Sequence, residues 1–335
     1  MALSNSNIDS IEEIHVVFGG LGFIGLNLVQ LLIQENQRCL IIDNRSMSQE
    51  VFESHFPDLA KIELLALDMT LSESWEVIRD KCGSKKIFIW HLAANSDIAQ
   101  GSQTAIPDVQ NTFFTTVQLI ESLKYFDCSG LVFASSSAVY GHINSEIGFS
   151  EEQVCRPESF YGVAKLSSEH LLRISLQRLQ IPLWIFRFAN IVGAPATHGV
   201  IYDLLLKVRQ DPGQLRVLGD GRQCKTYLHV QDLVDKMHEL IGFQKGGIWN
   251  LGPGDDGILV SRIAEMISKH VAPNARISFG EQAFGWLGDV PVARMNCDKL
   301  LRDTVKVQFD SESAVHLAIH EIARQLGMEF KCVSA

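Results

Sequence analysis

The sequence predicts an α/β fold: a doubly wound, mostly parallel sheet joined to a smaller, interleaved C-terminal part. Three observations predict it. Short apolar runs at 14–18, 38–42, 62–67, 86–91, 130–135 and 182–187 have the length and bounding of buried strands. Longer amphipathic stretches, such as 104–126 and 160–180, lie between most of them, and strands alternating with helices imply a sheet covered on both faces. The first run leads straight into GGLGFIG, whose glycines at 19, 22 and 25 are spaced for a phosphate-binding turn.

In chain order, the first strand feeds that turn and the apolar helix FIGLNLVQLLI follows it. Gly19 permits a tight turn, Gly22 lets backbone approach a pyrophosphate, and Gly25 lets the helix pack close, as in a Rossmann-type dinucleotide site. The amides of the helix N-terminus then face the phosphates. The second strand ends at Asp43 in LIIDNRS, 18 residues beyond Gly25. A carboxylate there accepts both ribose hydroxyls and repels a 2′-phosphate, which favours NAD over NADP. Arg45 pulls the other way, because an arginine can greet that phosphate. After about residue 190 the rhythm loosens, and GAPATHG, QDPG, LGDG and GPGDDG supply turns. The expectation is a Rossmann domain over 14–189, with returning segments near 226–250, and a smaller substrate-binding domain over 190–330.

Bulk properties exclude several classes of partner. A formal charge of −10 argues against nucleic acid or an anionic membrane. The apolar segment 16–33 is preceded by Asp9, Glu12 and Glu13 and carries glycines, Asn27 and Gln30, so it makes neither a secretory signal nor a membrane span. The seven cysteines are scattered, the closest pair (Cys128 and Cys155) 27 residues apart, and none has metal-ligand spacing. Free thiols in a cytoplasmic protein with no metal are expected.

SFYGVAKLSSEH, residues 159–170, sets Tyr161 and Lys165 four places apart, on one face of a helix. The pattern alone fits either an amphipathic surface helix or an acid–base tyrosine beside a cation. Further pieces decide the matter by their order: Asp68, HLAA at 91–94, Asn111, SSSAVYG at 135–141, RFANIVG at 187–193, LGDGRQCKTYLHVQDL at 218–233 and WNLGPGD at 249–255. Taken with the glycine turn, they resemble the extended short-chain dehydrogenase/reductases, specifically the NAD-dependent nucleotide-sugar epimerase/dehydratase family, over about 14 to 325. The wording RFANIVGAPATHGVIYD and GWLGDVP is similar to the UDP-glucose 4-epimerase-like branch.

The resemblance implies a catalytic trio of Ser136, Tyr161 and Lys165, with Lys165 and the positive nicotinamide together favouring the phenolate. It implies NAD contacts at Gly19, Gly22, Phe23, Ile24, Gly25, Asp43, Asn44, Asp68, Met69, Leu92, Ala93, Ala94 and Asn111, besides Tyr161 and Lys165. Substrate contacts fall at Ser136, Ser137, Asn190, Arg222 and Lys225, and the partner is a nucleotide-sugar. A homodimer joined through the helices around 104–126 and 160–180 is also implied. Ala138 stands where relatives that remove water or epimerise a second carbon carry a glutamate or cysteine, so simple 4-epimerisation is expected. A dehydratase, 5-epimerase or 4-ketoreductase is the alternative, and a non-catalytic NAD-binding regulator a more distant one. Lys207, Arg209, Arg216, Arg222 and Lys225 against Asp211 and Asp220 make a local basic excess suited to a diphosphate or to a solvated face. Two departures weaken the phosphate site. Lys225 replaces an arginine fork with a point charge, and Phe284 stands where a diphosphate-binding arginine is common; Arg222 and Arg294 are substitutes.

Overall fold

The apolar runs form β1 (Glu13–Phe18), β2 (Arg38–Asp43), β3 (Ile62–Ala66), β4 (Lys86–His91), β5 (Asp127–Ser136) and β6 (Leu183–Phe188). The computed structural model describes residues 13–330 apart from 57, 96–103, 143–147, 243–244 and 283–291. A seventh strand, Gly247–Leu251, lies outside β6, giving the order Gly247–Leu251, β6, β5, β4, β1, β2, β3. Every neighbouring pair is parallel. Chain order reverses between β1 and β4, and a crevice at such a reversal is where doubly wound sheets bind their ligands.

Alternation explains why the strands read as unbroken apolar runs. Val17, Ile41, Trp90, Val132 and Phe186 pack into one core with α1 (Phe23–Gln34) and the helix Val230–Ile241. Val16, Ile42, Ile89, Phe133 and Ile185 point to the other face, against Trp75, Leu119 and Leu172. With both faces covered, a strand has no solvent side to make polar.

The stretch 104–126 is not one regular helix. It runs from a short helix, Ile106–Asp108, through a π-turn, Val109–Phe114, into the helix Thr115–Ser122 and a final 3₁₀ turn. Thr115 and Thr116 hydroxyls donate back to the carbonyls of Asn111 and Thr112, a local bonding pattern that bends helices. The stretch 160–180 does form a single helix, Phe160–Leu179, capped by the Ser159 hydroxyl on the Gly162 amide (3.1 Å).

The C-terminal part has its own core, where Leu204 and Leu205 meet Ile263, Ile267, Val315 and Ile319. Its strands are short: Asn190–Val192 beside Tyr227–His229, Gln214–Val217 beside Arg276–Phe279, and Cys224–Lys225 between Ile258–Leu259 and Val292–Ala293. Among the described residues no helix is long and apolar enough to cross a membrane, and no cluster of three metal-ligating side chains occurs.

Candidate active site

The glycine turn is built for close approach. Gly19 has φ +78°, and a Cβ there would lie 2.7 Å from the Ala93 amide nitrogen. A Cβ on Gly25 would strike the Gly19 carbonyl and come within 2.6 Å of Gly20 Cα. Gly22 is the N-cap of α1, with no side-chain cap and no acidic residue in the first turn. The first amides of α1 are thus left for an external acceptor, and an anion is the natural one. Leu92, Ala93 and Ala94 follow β4 and lie half-buried against this turn.

Asp43, 5% exposed at the end of β2, accepts the Leu21 and Arg45 amides (3.0 Å each). It also accepts both ends of the Arg45 guanidinium, Nε at 3.0 Å and Nη2 at 3.1 Å. The arginine that opposed the carboxylate in the sequence is therefore its ion-pair partner in the fold. Asn44 is exposed beside it. Asp68 is exposed and holds a turn by accepting the amide and hydroxyl of Thr70 (2.8 and 2.7 Å). Met69 is 5% exposed and belongs to the core, its carbonyl taking the Trp75 indole N–H. Phe23 and Ile24, in the first turn of α1, are half-buried.

Asn111 is exposed on the π-turn. The buried polar group at that place is Thr112, fully buried, whose hydroxyl accepts the Asn95 amide (3.0 Å).

Ser136 ends β5, and its hydroxyl accepts the Ala138 amide (3.2 Å) at the head of the 3₁₀ turn Ser137–Val139. Ser137 is half-buried in that turn. Gly162 brings the Tyr161 helix onto it, since a Cβ at 162 would collide with the Ala138 carbonyl. Tyr161 is half-buried, and Lys165, one turn along, is 1% exposed. The Lys165 ammonium donates to the Ala134 carbonyl at 2.6 Å and lies 5.6 Å from the centre of the Tyr161 ring.

Burial, not the cation, dominates the ionisation of this pair. It pushes the Tyr161 phenol above its usual 10, the Asp108 carboxylate adds to that, and only Ser136 pulls it back. Burial also brings Lys165 down to about 7, against the opposing charges of Glu169 and Asp108. Burial thus outweighs the neighbouring charges at both groups. A charged group in an apolar wall loses more hydration than one distant neighbour restores. His91, fully buried with Nε2 2.9 Å from the Thr116 hydroxyl, falls to about 3 through burial and then Lys165, and is neutral.

A buried frame absent from the sequence reading lies beneath the trio. Arg187 on β6 donates to Glu169 through Nε (3.0 Å) and Nη2 (2.7 Å), and to the Tyr140 hydroxyl through Nη1 (3.0 Å). Ser135 donates to Glu169, and Tyr140 to Asn250 (2.6 Å) on the seventh strand. Asp108, 1% exposed and bonded by the Asn95 side-chain amide (3.0 Å), is a second feature missed. In the sequence it reads as an ordinary acidic residue in a first helical turn.

The expected substrate residues are less gathered. Asn190 donates to the Thr226 carbonyl (3.2 Å), bracing two short strands. Lys225 is half-buried, and the strand Val292–Ala293 pairs with its own strand just before Arg294, which meets Asp256 at 3.2 Å. Arg222 is exposed, with Asp220 3.9 Å away. Lys207, Arg209 and Arg216 are spent on nearby acceptors: the Arg216 carbonyl, the Leu326 carbonyl and the Gln214 side chain. The Lys207 bond draws Lys207 and Arg216 together. His198 is exposed and bonded to Thr197, and Phe284 lies outside the described residues.

The family model described as the NAD-dependent epimerase/dehydratase family matches residues 15–252, well over half of the chain. The chain belongs to that family. A UDP-galactose 4-epimerase crystal structure superposes with a TM-score of 0.79 at 27% identity, over 93% of this chain and 99% of the other. UDP-glucose 4-epimerase 2 of Oryza sativa subsp. japonica is 29% identical over 249 residues, 66% of this chain and 59% of that one. The UDP-glucose 4-epimerase of Thermus thermophilus, solved with NAD, shares the fold at 21% identity and a TM-score of 0.79, over 92% and 98% of the two chains. NAD is the cofactor of this epimerase/dehydratase family member, and the residues present fit it: a glycine cradle that any Cβ would fill, uncapped helix amides and a buried carboxylate ending β2.

Proposed function

We propose that this family member interconverts the 4-epimers of a nucleotide-diphosphate hexose, with a UDP-hexose as the substrate class. The observation that carries the reading is Ala138, packed where the Tyr161 helix meets the Ser136 turn. NAD, when bound, supplies the acceptor and donor of hydride at carbon 4 of the sugar. Tyr161 takes the proton of the carbon-4 hydroxyl and later returns it, with Ser136 bridging phenol and substrate. Lys165 places positive charge beside the phenol and reaches the nicotinamide ribose. Asn190, Arg222 and Lys225 hold the diphosphate. Ala138 moves no proton, so the oxidised sugar has one easy fate, reduction on either face.

The relatives named UDP-glucose and UDP-galactose 4-epimerase support UDP as the nucleotide. Buried Asp108 favours a second reading, a dehydratase, 5-epimerase or 4-ketoreductase, if its carboxylate reaches a neighbouring ring carbon. Incubating the pure protein with UDP-, GDP-, CDP- and dTDP-sugars separates the readings. An unchanged mass with inverted carbon 4 supports epimerisation. A product lighter by one water, solvent deuterium at carbon 5, or net consumption of NADH overturns it.

The functional unit is a homodimer. Exposed Ile106, Val109 and Phe114 on one segment, and Phe160, Val163 and Ile174 on the Tyr161 helix, support a second copy docking there. Light scattering that gives a monomer mass at micromolar concentration would refute this. The free thiols at Cys39, Cys82, Cys128, Cys155, Cys224 and Cys297 suit a cytoplasmic setting.

A further inference from the structure

One carboxylate, Glu169, is buried on the Tyr161 helix and another, Asp108, on the segment packed against it, and they are not equivalent. Glu169 is engaged twice by Arg187 and once by Ser135, so its charge is balanced by a guanidinium as buried as itself. Asp108 has one hydrogen bond among the described residues, from the neutral Asn95 amide, and no ion pair among them. An unbalanced buried carboxylate is costly, and such groups persist chiefly where a site uses them.

Its position is also specific. Asp108 closes the short helix Ile106–Asp108 just as the chain enters the π-turn, an irregularity frequent at functional sites. This segment packs on the Tyr161 helix. Asn95 clamps it from the end of β4, its backbone amide on Thr112 and its side chain on Asp108, each at 3.0 Å.

We propose that Asp108 is a positioning residue of the catalytic centre, a fixed anion against which the Tyr161–Lys165 pair holds its proton. Of the ionisable groups at this centre, Tyr161 and Lys165 feel its charge; Glu169 lies on the same helix, His91 at the end of β4 and Arg187 on β6. Glu169 and Arg187 offset each other, and His91 is neutral. Asp108 is then the carboxylate that acts on Tyr161, and it joins Glu169 in acting on Lys165. It raises Tyr161 and Lys165 alike, and Lys165 acts back on it against the burial that raises Asp108 itself.

The proposal rests on the assignment of Tyr161 above, and not on which sugar is converted. Its test therefore needs no substrate. The NAD-loaded protein is titrated by near-ultraviolet tyrosinate absorbance, with Tyr161→Phe subtracted to isolate one phenol. Asp108→Asn keeps the shape and an acceptor for Asn95, and it should move the Tyr161 midpoint down by roughly one pH unit, a tenfold gain in phenolate at fixed pH. Asp108→Glu, which keeps the charge, should leave the midpoint close to that of the unaltered protein. An unmoved midpoint in Asp108→Asn overturns the proposal. So does an equal fall in both variants, which would mean that either change simply lets water in.

Discussion

Gly162→Ala tests the geometry of the site with one methyl group. The new Cβ would overlap the Ala138 carbonyl and lie 2.9 Å from Pro157 Cβ. The first contact is with backbone, so no side chain can swing aside. Either the Tyr161 helix start or the Ser136–Val139 turn must retreat, and each carries a member of the trio. Overpacking of this kind costs about 1–3 kcal/mol, and alanine's better helix propensity returns at most about 1 kcal/mol. A net loss of about 1–2 kcal/mol in stability is expected, read as a lower denaturant midpoint. Activity should suffer more. A displacement near an ångström at reacting groups lowers turnover by about 100-fold. Gly213→Ala is the control, because a Cβ there would meet only Asp211 at an ordinary 3.4 Å. Both quantities are measured with whichever nucleotide-sugar the substrate panel identifies. Unaltered turnover and stability in Gly162→Ala would refute the claim that this contact sets the site.

Tyr161→Phe should lower turnover by at least about 100-fold while NAD remains bound, checked by product analysis and by the nucleotide content of the purified variant. Extraction of the unaltered protein, with acid for the oxidised form and alkali for the reduced, should release NAD or NADH; mainly NADP or NADPH would mean that Arg45 serves a 2′-phosphate in place of pairing with Asp43. Stability should fall in mild acid because of His15, which burial brings down to about 4 and whose Nδ1 accepts the Trp90 indole N–H at 2.9 Å. The folded chain keeps this ring neutral while the unfolded chain protonates it near 6.5, so its contribution is whole above pH 6.5 and is lost progressively toward pH 4. Urea midpoints across that window measure the loss, and His15→Gln should flatten it.

The sheet was legible because each strand covered on both faces must be apolar along its length, as Val16 to Phe18 and Ile87 to Trp90 are. The glycine turn was legible for a similar reason: Gly19 and Gly25 sit where no other residue fits. Tyr161 and Lys165 could be placed on one helical face from their spacing alone. What stayed hidden depends on irregular backbone or on tertiary contact. On the π-turn Thr112 is buried and Asn111 exposed. The spacing of charges between 207 and 225 says nothing of the carbonyls that take up Lys207 and Arg209. Nor does any local pattern show that Asp43 and Arg45, read as rivals, are partners.

The division of labour within the fold follows from where rigidity lies. The Arg187–Glu169 pair, Tyr140 and Asn250 tie β5, β6, the Tyr161 helix and the seventh strand through hydrogen bonds that are almost wholly buried. Ser136 and Tyr161 are carried on the ends of elements so tied, and their separation is fixed by backbone that has no cheap alternative. Lys225 rides on a two-residue strand, Asn190 on a three-residue one, and Arg222 on an exposed turn. Few backbone ladder bonds hold the strands that carry Asn190 and Lys225. On the proposed assignments, the groups for chemistry lie on the rigid part of the fold and those for the diphosphate on its short strands and turns. The proposed reaction type accordingly rests on Ala138 and Tyr161, carried by those tied elements, and the choice of sugar on the short strands.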